Sequence, residues 1–384
     1  MSGRPRSVLF ACMDADTLGG IQRVTHTVAQ GLAERGYDVH VLGLHRAETP
    51  FRYVRRPGYR QHVIHRTPMG GLSWLGTRRE RRRLGRLLRE LGPGFAVLTS
   101  PGVVSRLKDL LPERLLPIGQ YHGSYEHARG SWHLGSVRGH YGDLEQAVFL
   151  SEDDARLFSE HALLPNTWAI PNPLPAWPER TATLTGHRVL GVGRLEGVKR
   201  FDRLISAFAE ARRTVNTVNT GNTRHTGGGG TDGDGDWELR LIGEGTELER
   251  LRAHARACGV ADRVVFRGAV PAADMGREYA NGSVLGLSSE HEGLPLVLGE
   301  AASHGVPSVA FDVSGGVRSL VVDGETGLLA PPADVPALAA ALARLTASER
   351  ERRRLGTAAR AHAEAFRPER VLDRWETLFD QVTR

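Results

Sequence analysis

Two series of alternating strand and helix patterns, separated by a cluster of prolines, run through this chain of 384 residues. At its start, residues 7–13 form a strand-prone apolar run, residues 20–35 carry apolar residues at helical spacing, and residues 37–44 form a second strand-prone run. A strand, a helix and a strand joined by short loops normally belong to a parallel sheet. We therefore predict that the chain opens with a doubly wound α/β domain.

The alternation continues on both sides of the prolines. The further helices predicted from apolar spacing are 78–91, 152–161, 201–213, 246–258 and 296–304. The further strands predicted are 95–100, 116–121, 147–150, 167–170, 188–192, 237–242, 263–266, 284–288 and 307–311. Both halves are therefore predicted to be α/β.

The prolines divide the chain into domains because they break both helices and strands. They are Pro171, Pro173, Pro175 and Pro178. We predict a Rossmann-like domain over 1–170, a linker over 171–180 and a second Rossmann-like domain over 181–366. A helix over 367–384 is predicted to pack back on the first domain.

Residues 214–236 are rich in Gly, Thr, Asn and Asp and offer almost nothing to bury, so they are predicted to be a disordered, dispensable surface insertion. Asp232, Asp234 and Asp236 resemble the start of a calcium loop. Trp237 and Gly243 stand where that loop needs Gly and Glu, so we predict no metal there.

Composition excludes several classes of protein. No apolar stretch approaches the roughly 20 residues of a membrane-spanning helix, and residues 7–13 fit a first strand better than a signal peptide. Two cysteines far apart in sequence give neither a disulfide framework nor a metal-ligand spacing, which favours a cytoplasmic protein. The net charge of +6 does not by itself identify a partner.

The predicted helix 78–91 combines a leucine stripe with seven arginines. In one interpretation the leucines pack on the sheet and the arginines are solvated. In the other, the helix makes a peripheral contact with an anionic membrane at its inner face. Both interpretations stay open at this point.

Two carboxylates flank a strand-to-helix junction in the second domain. Glu292 precedes the predicted helix 296–304 and Glu300 lies within it. Pro295 near the first turn leaves backbone N–H groups free, and the partial positive charge of a helix N-terminus suits a diphosphate. Spacing alone leaves open that Glu292 caps the helix and Glu300 is a solvated residue.

Charged and polar groups also follow other predicted strands. Arg194 and Lys199 lie between a strand and a helix, where both can reach phosphate oxygens. Gly19 and Gly20 allow close approach of a ligand to the first strand-to-helix loop, or simply make a tight turn. His122 follows a strand and can hydrogen-bond to sugar or phosphate.

The Glu-x7-Glu spacing within Ser-Ser-Glu-His-Glu-Gly-Leu-Pro-Leu-Val-Leu-Gly-Glu-Ala resembles the signature of retaining glycosyltransferases of family four. The resemblance extends through nearly the whole chain and implies the GT-B fold, in which two Rossmann-like domains face a cleft. It implies that the donor binds mainly to the second domain and the acceptor to the first. Ser319 departs from relatives that often carry an acid there.

The resemblance also implies a role for each site residue. Glu292 would contact the donor sugar, Glu300 the ribose, and Arg194 and Lys199 the diphosphate, with His122 facing the donor near the reaction centre. The remaining implied donor contacts are Gly19, Gly20, Arg267, Val270, Gly293, Leu294, Pro295 and Leu296. No metal or other cofactor is implied, and Asp14 and Asp16 are not needed as metal ligands.

We therefore predict a retaining hexosyltransferase that uses a nucleotide diphosphate sugar, with a UDP-sugar favoured and GDP-mannose next. The acceptor is a cell-surface polysaccharide, a lipid-linked sugar or a metabolite, and nucleic acid is not a predicted partner. An epimerase or phosphorylase of the same fold, or a nonenzymatic binder of nucleotide sugars or anionic polymers, is the alternative. The missing Gly-x-Gly-x-x-Gly disfavours a nicotinamide oxidoreductase.

Overall fold

The chain forms two α/β units, each built on one parallel sheet. The computed structural model describes residues 7–68, 70, 74–221 and 237–383. The first unit comprises Met1–Pro175 and Phe366–Arg384, and the second comprises Ala176–Ala365. The prediction of two α/β domains with parallel sheets is confirmed.

The first unit has seven strands in the order β3-β2-β1-β4-β5-β6-β7. Its strands are β1 (Ser7–Asp14), β2 (Asp38–His45), β3 (Arg60–His65), β4 (Gly94–Leu98), β5 (Leu115–Gln120), β6 (Gln146–Phe149) and β7 (Thr167–Ala169). Its helices up to this point are α1 (Gly20–Glu34), α2 (Trp74–Glu90), α3 (Pro101–Leu107), α4 (Tyr125–Arg129), α5 (His133–Tyr141) and α6 (Glu152–Ala162).

Burial explains why strand β1 follows the sequence pattern and strand β3 does not. Strand β1 is covered on both faces, so it reads as a continuous apolar run. Strand β3 lies at the edge of the sheet, and Ile64 is its buried residue. The strand pattern is too weak there for prediction, because Arg, Gln and His fill four of its six positions and Val63 is 42% exposed.

The second unit has six strands in the order β10-β9-β8-β11-β12-β13. Its strands are β8 (Arg188–Val192), β9 (Glu238–Ile242), β10 (Val264–Gly268), β11 (Val284–Leu287), β12 (Ser308–Phe311) and β13 (Gly327–Ala330). Its helices are α7 (Phe201–Gly221), α8 (Leu248–Ala257), α9 (Met275–Ala280), α10 (Leu296–Ser303), α11 (Gly315–Leu320), α12 (Val335–Ala347) and α13 (Glu349–Ala363).

Helix α7 corrects the predicted start of the insertion. It continues to Gly221, so residues 214–221 are helical rather than disordered. Thr, Asn and Val are weak helix formers, but adding a residue to an existing helix needs no new nucleation, and buried Leu204 and Phe208 hold the helix on the core. The rest of the predicted insertion, 222–236, lies outside the described residues.

The last helix, α14 (Pro368–Val382), belongs to the first unit. Trp375 is almost fully buried and meets the Phe10 ring edge-on at 6.0 Å between centroids. Phe379 stacks on Phe95 at 4.2 Å. Arg35, the C-cap residue of α1, donates to Asp373 and Glu376 of this helix at 2.8 and 2.6 Å. The C-terminal segment therefore covers one face of the first sheet.

The leucine stripe of α2 belongs to the core of the first unit. Leu84 and Leu88 have no exposed surface and Leu91 is buried beside them. The arginines described on this helix are exposed. The packing favours the interpretation in which the leucines face the sheet. Among the residues described, no helix has the length and apolar character needed to cross a membrane.

Candidate functional site

Most of the predicted site residues of the second unit lie at the carboxyl edge of its sheet. Strands β8 and β11 are neighbours there, yet the chain leaves β8 towards β9 on one side and β11 towards β12 on the other. In open α/β sheets, such a switch point forms the crevice where ligands bind. The loops after β8 and β11 are therefore the natural place for a ligand in this unit.

The loop after β8 carries Arg194 and Lys199. Gly193 and Gly243 adopt positive φ values of 153° and 142°, and an added Cβ at Gly243 would overlap the Gly193 carbonyl. Lys199 ends a 3-10 turn, and its Nζ lies 2.6 Å from the Glu292 Oε1 atom. Arg194 is 71% exposed and pairs with Glu196 at 3.0 Å. Lys199 thus points into the loop cluster while Arg194 stays at its surface.

Hydrogen bonds join the loop after β11 to the loop after β8. Ser288 donates its hydroxyl proton to the carbonyl oxygens of Lys199 and Arg200 at 3.1 and 2.8 Å, and the Glu290 N–H donates to the Val198 carbonyl at 2.9 Å. These bonds fix the backbone that brings Lys199 to Glu292. The sequence patterns did not identify Ser288 as a residue that positions the site.

The Lys199–Glu292 ion pair joins the loop after β8 to the loop after β11 at the switch point. The side chains are 23% and 10% exposed, so solvent screens their attraction less than it screens a surface pair. In such a pair, the ammonium group can bind a phosphate, and the carboxylate can accept hydrogen bonds from hydroxyl groups.

The segment from Gly293 to Leu296 presents its backbone rather than its side chains. Leu294 and Leu296 are buried, and Pro295 is the N-cap of α10 in extended conformation. The Ser314 hydroxyl donates to the Gly293 carbonyl at 3.4 Å. A ligand here would meet the N–H groups of the first turn of α10, as expected for an anion at a helix N-terminus.

Gly316 is required for this packing, and its replacement gives a stability prediction. A Cβ at this position would overlap the Gly293 carbonyl and approach the Leu294 Cα atom, and neither is a flexible side chain. We expect Gly316→Ala to lower the free energy of unfolding by about 1–3 kcal/mol, as overpacking does. Gly197→Ala is the control, because an added Cβ there meets nothing within 4 Å. Equal urea midpoints for the two variants would contradict this account.

Glu300 has a different environment from Glu292. It is 8% exposed in α10, and its Oε2 atom accepts a hydrogen bond from the Tyr279 hydroxyl at 2.5 Å. Its carbonyl oxygen lies 2.9 Å from His304 Nδ1, and burial lowers the pKa of His304. Glu300 is therefore held by a neutral phenol, whereas Glu292 is held by an ammonium group. Nothing in the sequence pattern singled out Tyr279, which lies in the short helix α9.

Arg267 and Val270 lie at the far edge of the same sheet. Arg267 is in the edge strand β10, and its Nε donates to Glu278 at 3.2 Å, while Arg240 contacts the other oxygen of that carboxylate at 3.2 Å. Val270 is half-buried just beyond Gly268, whose φ is 76°. The Arg267 side chain is thus held by its ion pair with Glu278.

Gly19 and Gly20 lie after β1 in the first unit, beside the switch point between β1 and β4. The Gly19 N–H donates to the Tyr53 hydroxyl oxygen at 2.7 Å, and that hydroxyl donates to the Thr17 carbonyl at 2.7 Å. An added Cβ at Gly20 meets nothing within 4 Å. The loop is held by Tyr53, and Gly20 faces open space.

Asp14 and Asp16 stabilise the same loop. Asp14 accepts from the Thr17 N–H at 3.1 Å, and Asp16 accepts from the Ala47 N–H at 2.8 Å. No group of three or more His, Cys, Asp or Glu side chains in the described part of the chain is arranged to hold a metal ion.

His122 follows β5 in the first unit and has unusual surroundings. Both ring nitrogens are buried, and neither has a hydrogen-bond partner among the described residues. Burial lowers the pKa of His122 to about 4, so the imidazole is neutral near pH 7. A neutral ring with two unused nitrogens can both donate to and accept from a ligand.

The His122 environment also predicts how stability depends on pH. The unfolded chain takes up this proton near pH 6.5, whereas the folded chain does so only near pH 4. Stability from this group is therefore present above about pH 6.5 and falls by about 1.4 kcal/mol per pH unit between those two values. We expect the free energy of unfolding, measured in urea, to fall between about pH 7 and about pH 5 in both proteins. The fall should be about 2 kcal/mol smaller in His122→Gln than in the wild type.

The comparison with the variant removes the contribution of other histidines. Burial also lowers the pKa of His26, His40, His45, His62 and His304, but these groups titrate in both proteins. The same loss of stability in the variant and the wild type would show that His122 is not held neutral by the fold.

Two family models match the chain in succession. The model described as glycosyltransferase family 4 matches residues 18–175. The model described as glycosyl transferases group 1 matches residues 179–362, which contain Arg194, Lys199, Glu292 and Glu300.

One curated relative is an exopolysaccharide phosphotransferase of Streptomyces coelicolor, 30% identical over 98% of this chain. The chain spans 41% of that protein's length. Among solved structures, sucrose-phosphate synthase from Thermosynechococcus elongatus has a TM-score of 0.79 at 18% identity, covering 98% of this chain and 99% of that one. The Anabaena protein HepE in complex with UDP and glucose has a TM-score of 0.75 at 16% identity, with coverages of 98% and 100%. The fold expectation of a GT-B protein is confirmed by these likenesses.

Proposed function

We propose that this chain, which belongs to the group 1 glycosyltransferases, transfers a hexose from a nucleotide diphosphate sugar with retention of anomeric configuration. The observation that carries the proposal is the Lys199–Glu292 pair at the β8–β11 switch point, next to the N-terminus of α10. A UDP-sugar is the favoured donor, because a similar fold is described in complex with UDP and glucose. GDP-mannose is the next candidate.

Donor binding exchanges the partners of the ion pair. The diphosphate takes the Lys199 ammonium group and the first-turn N–H groups of α10, and Arg194 adds a flexible guanidinium from the surface. Glu292, released from Lys199, accepts hydrogen bonds from hydroxyls of the sugar. Glu300, oriented by Tyr279, accepts from the ribose.

In the reaction, the bond between the anomeric carbon and the phosphate oxygen breaks, and an acceptor oxygen bonds to that carbon from the same face. The acceptor proton passes to the leaving phosphate, whose growing charge Lys199 and Arg194 neutralise. No covalent intermediate with the protein is involved. His122, as a neutral hydrogen-bonding group, contacts the donor near the reacting carbon.

The test starts with melting temperatures measured against a panel of nucleotide sugars. Ligand at 100 times its dissociation constant stabilises by about 2.7 kcal/mol, so the true donor should raise the melting temperature most. Product analysis with that donor then separates the activities. A new glycoside supports transfer, whereas an isomerised donor, a sugar phosphate or an unchanged donor would favour an epimerase, a phosphorylase or a nonenzymatic binder.

A further inference from the structure

A cavity of about 630 Å³ lies within the first unit, between the edge strand β3 and helix α2. This volume is in the range of small-molecule sites. It is lined by Val63, Ile64, His65, Arg66, Arg83, Arg86, Leu87 and Glu90. The switch point of this sheet lies between β1 and β4, so the cavity is separated from it by β2 and β3. None of the lining residues has a role in the proposed transfer reaction.

Three guanidinium groups dominate the charge of this cavity. Arg66, Arg83 and Arg86 line it, and none of them forms an ion pair with a carboxylate in the described part of the chain. Arg83 is anchored, because its Nη1 donates to the Ile64 carbonyl at 2.9 Å. Arginines that lack a carboxylate partner can accept a ligand anion without first breaking an ion pair.

The acidic groups nearby leave the cavity positive. Glu80 is already shared by His65 and Arg106, at 2.7 and 3.3 Å. Glu90, at the C-terminal end of α2, is the carboxylate among the lining residues. Three guanidinium charges therefore face one carboxylate, which leaves an excess of two positive charges.

Apolar surface accompanies the arginines. Val63 is 42% exposed on the open edge strand, and Leu87 lies on the helix side. Leu84 and Leu88 of the same helix are fully buried in the core, whereas Leu87 is only half-buried and packs against the edge of that core. A cavity with guanidinium groups and an apolar wall suits an organic anion better than a bare inorganic ion.

We propose that this cavity binds a phosphate-bearing organic ligand, with the phosphate held by Arg66, Arg83 and Arg86 and the rest of the ligand against Val63 and Leu87. Phosphate fits better than carboxylate because three planar donor forks match its several oxygens, whereas one arginine already saturates a carboxylate. The phosphate can belong to a soluble molecule or to a lipid headgroup. The proposal stands independently of the transfer reaction.

Two triple variants with the same loss of charge test the site. The cavity variant carries Arg66→Gln, Arg83→Gln and Arg86→Gln. The control carries Arg79→Gln, Arg82→Gln and Arg89→Gln, which all lie on α2. The soluble arm measures glycerol 3-phosphate binding by calorimetry. The lipid arm measures cosedimentation with phosphatidylcholine vesicles with and without phosphatidylglycerol. The arm in which the wild type binds identifies the source of the phosphate.

In that arm, we expect the cavity variant to lose affinity by on the order of a hundredfold, since charged hydrogen bonds disappear. The control should lose only the general electrostatic attraction, about threefold or less at moderate salt. Equal losses in the two variants would show a diffuse basic surface and overturn the proposal. Absence of wild-type binding in both arms would overturn it as well.

Chemical labelling keeps the test decisive if the cavity variant does not fold. Phenylglyoxal modifies exposed arginines of the wild-type protein, and mass spectrometry locates the modified residues. The bound probe should protect Arg66, Arg83 and Arg86 while Arg79, Arg82 and Arg89 react as before. Equal labelling of the two sets with and without the probe would contradict the proposed site.

Discussion

Glu292→Gln is expected to reduce sugar transfer by on the order of a hundredfold or more while binding of the free nucleoside diphosphate is kept. The amide cannot replace a carboxylate that accepts hydrogen bonds from sugar hydroxyls as charge develops in the transition state. The free nucleotide has no sugar for Glu292 to hold. Because Lys199 also loses its ion-pair partner, its ammonium group becomes more available for the diphosphate.

Glu290→Gln is the matched control for this prediction. Glu290 lies in the same loop, is 47% exposed, and its closest ion pair is with Arg203 at 3.9 Å. Its replacement should leave turnover close to that of the wild type. Initial rates and calorimetry on both variants give the comparison. A Glu292→Gln protein that transfers sugar at the rate of the Glu290→Gln control would exclude the proposed role of Glu292.

Glu300→Gln is expected to lower the affinity for the free nucleotide itself by roughly ten- to a hundredfold. A hydrogen bond to a charged group contributes about 1.5–3 kcal/mol, and the ribose is present in every form of the nucleotide. The weaker binding should appear in calorimetry with the nucleoside diphosphate as well as in the KM for the donor. Glu292→Gln should therefore impair transfer while nucleotide binding is kept, whereas Glu300→Gln should weaken nucleotide binding itself.

Tyr279→Phe separates the orientation of Glu300 from its charge. The phenol donates to Glu300 at 2.5 Å, so its removal keeps the carboxylate but frees its rotation. We expect a smaller loss of nucleotide affinity than in Glu300→Gln, in the same direction. If Glu300→Gln binds the free nucleotide as the wild type does, the assignment of the ribose contact is wrong.

The sequence predicts the layout of both units because hydrophobic patterns follow burial directly. Strand β8 and the start of α7 appear where apolar spacing indicates them, since parallel strands buried on both faces are continuous apolar runs. The pattern fails where burial is weak, as at strand β3, and where a helix continues through poor helix formers, as at residues 214–221.

The sequence identifies some site residues, but it does not reveal the distant residues that contact them in the fold. The resemblance motif identifies Glu292 and Lys199, but their mutual ion pair depends on Ser288 and on the Glu290–Val198 backbone bond, which are contacts between distant parts of the chain. Tyr279 contacts Glu300 across 21 positions, so no local pattern reveals it. Glu278, the partner of Arg267, lies in the next helix, and no sequence pattern reveals this contact either.

The most direct test of retaining transfer is a proton NMR time course with the donor selected by thermal shift and a panel of sugar acceptors. Because a glycoside does not mutarotate, its anomeric proton reports the outcome directly, and we expect a new glycoside with the anomeric configuration of the donor, formed in step with one nucleoside diphosphate per bond. Glu292→Gln should slow the appearance of both signals together by on the order of a hundredfold or more, whereas Glu290→Gln should not. A glycoside of inverted configuration, or nucleotide release that never yields a glycoside with any acceptor, would contradict the account.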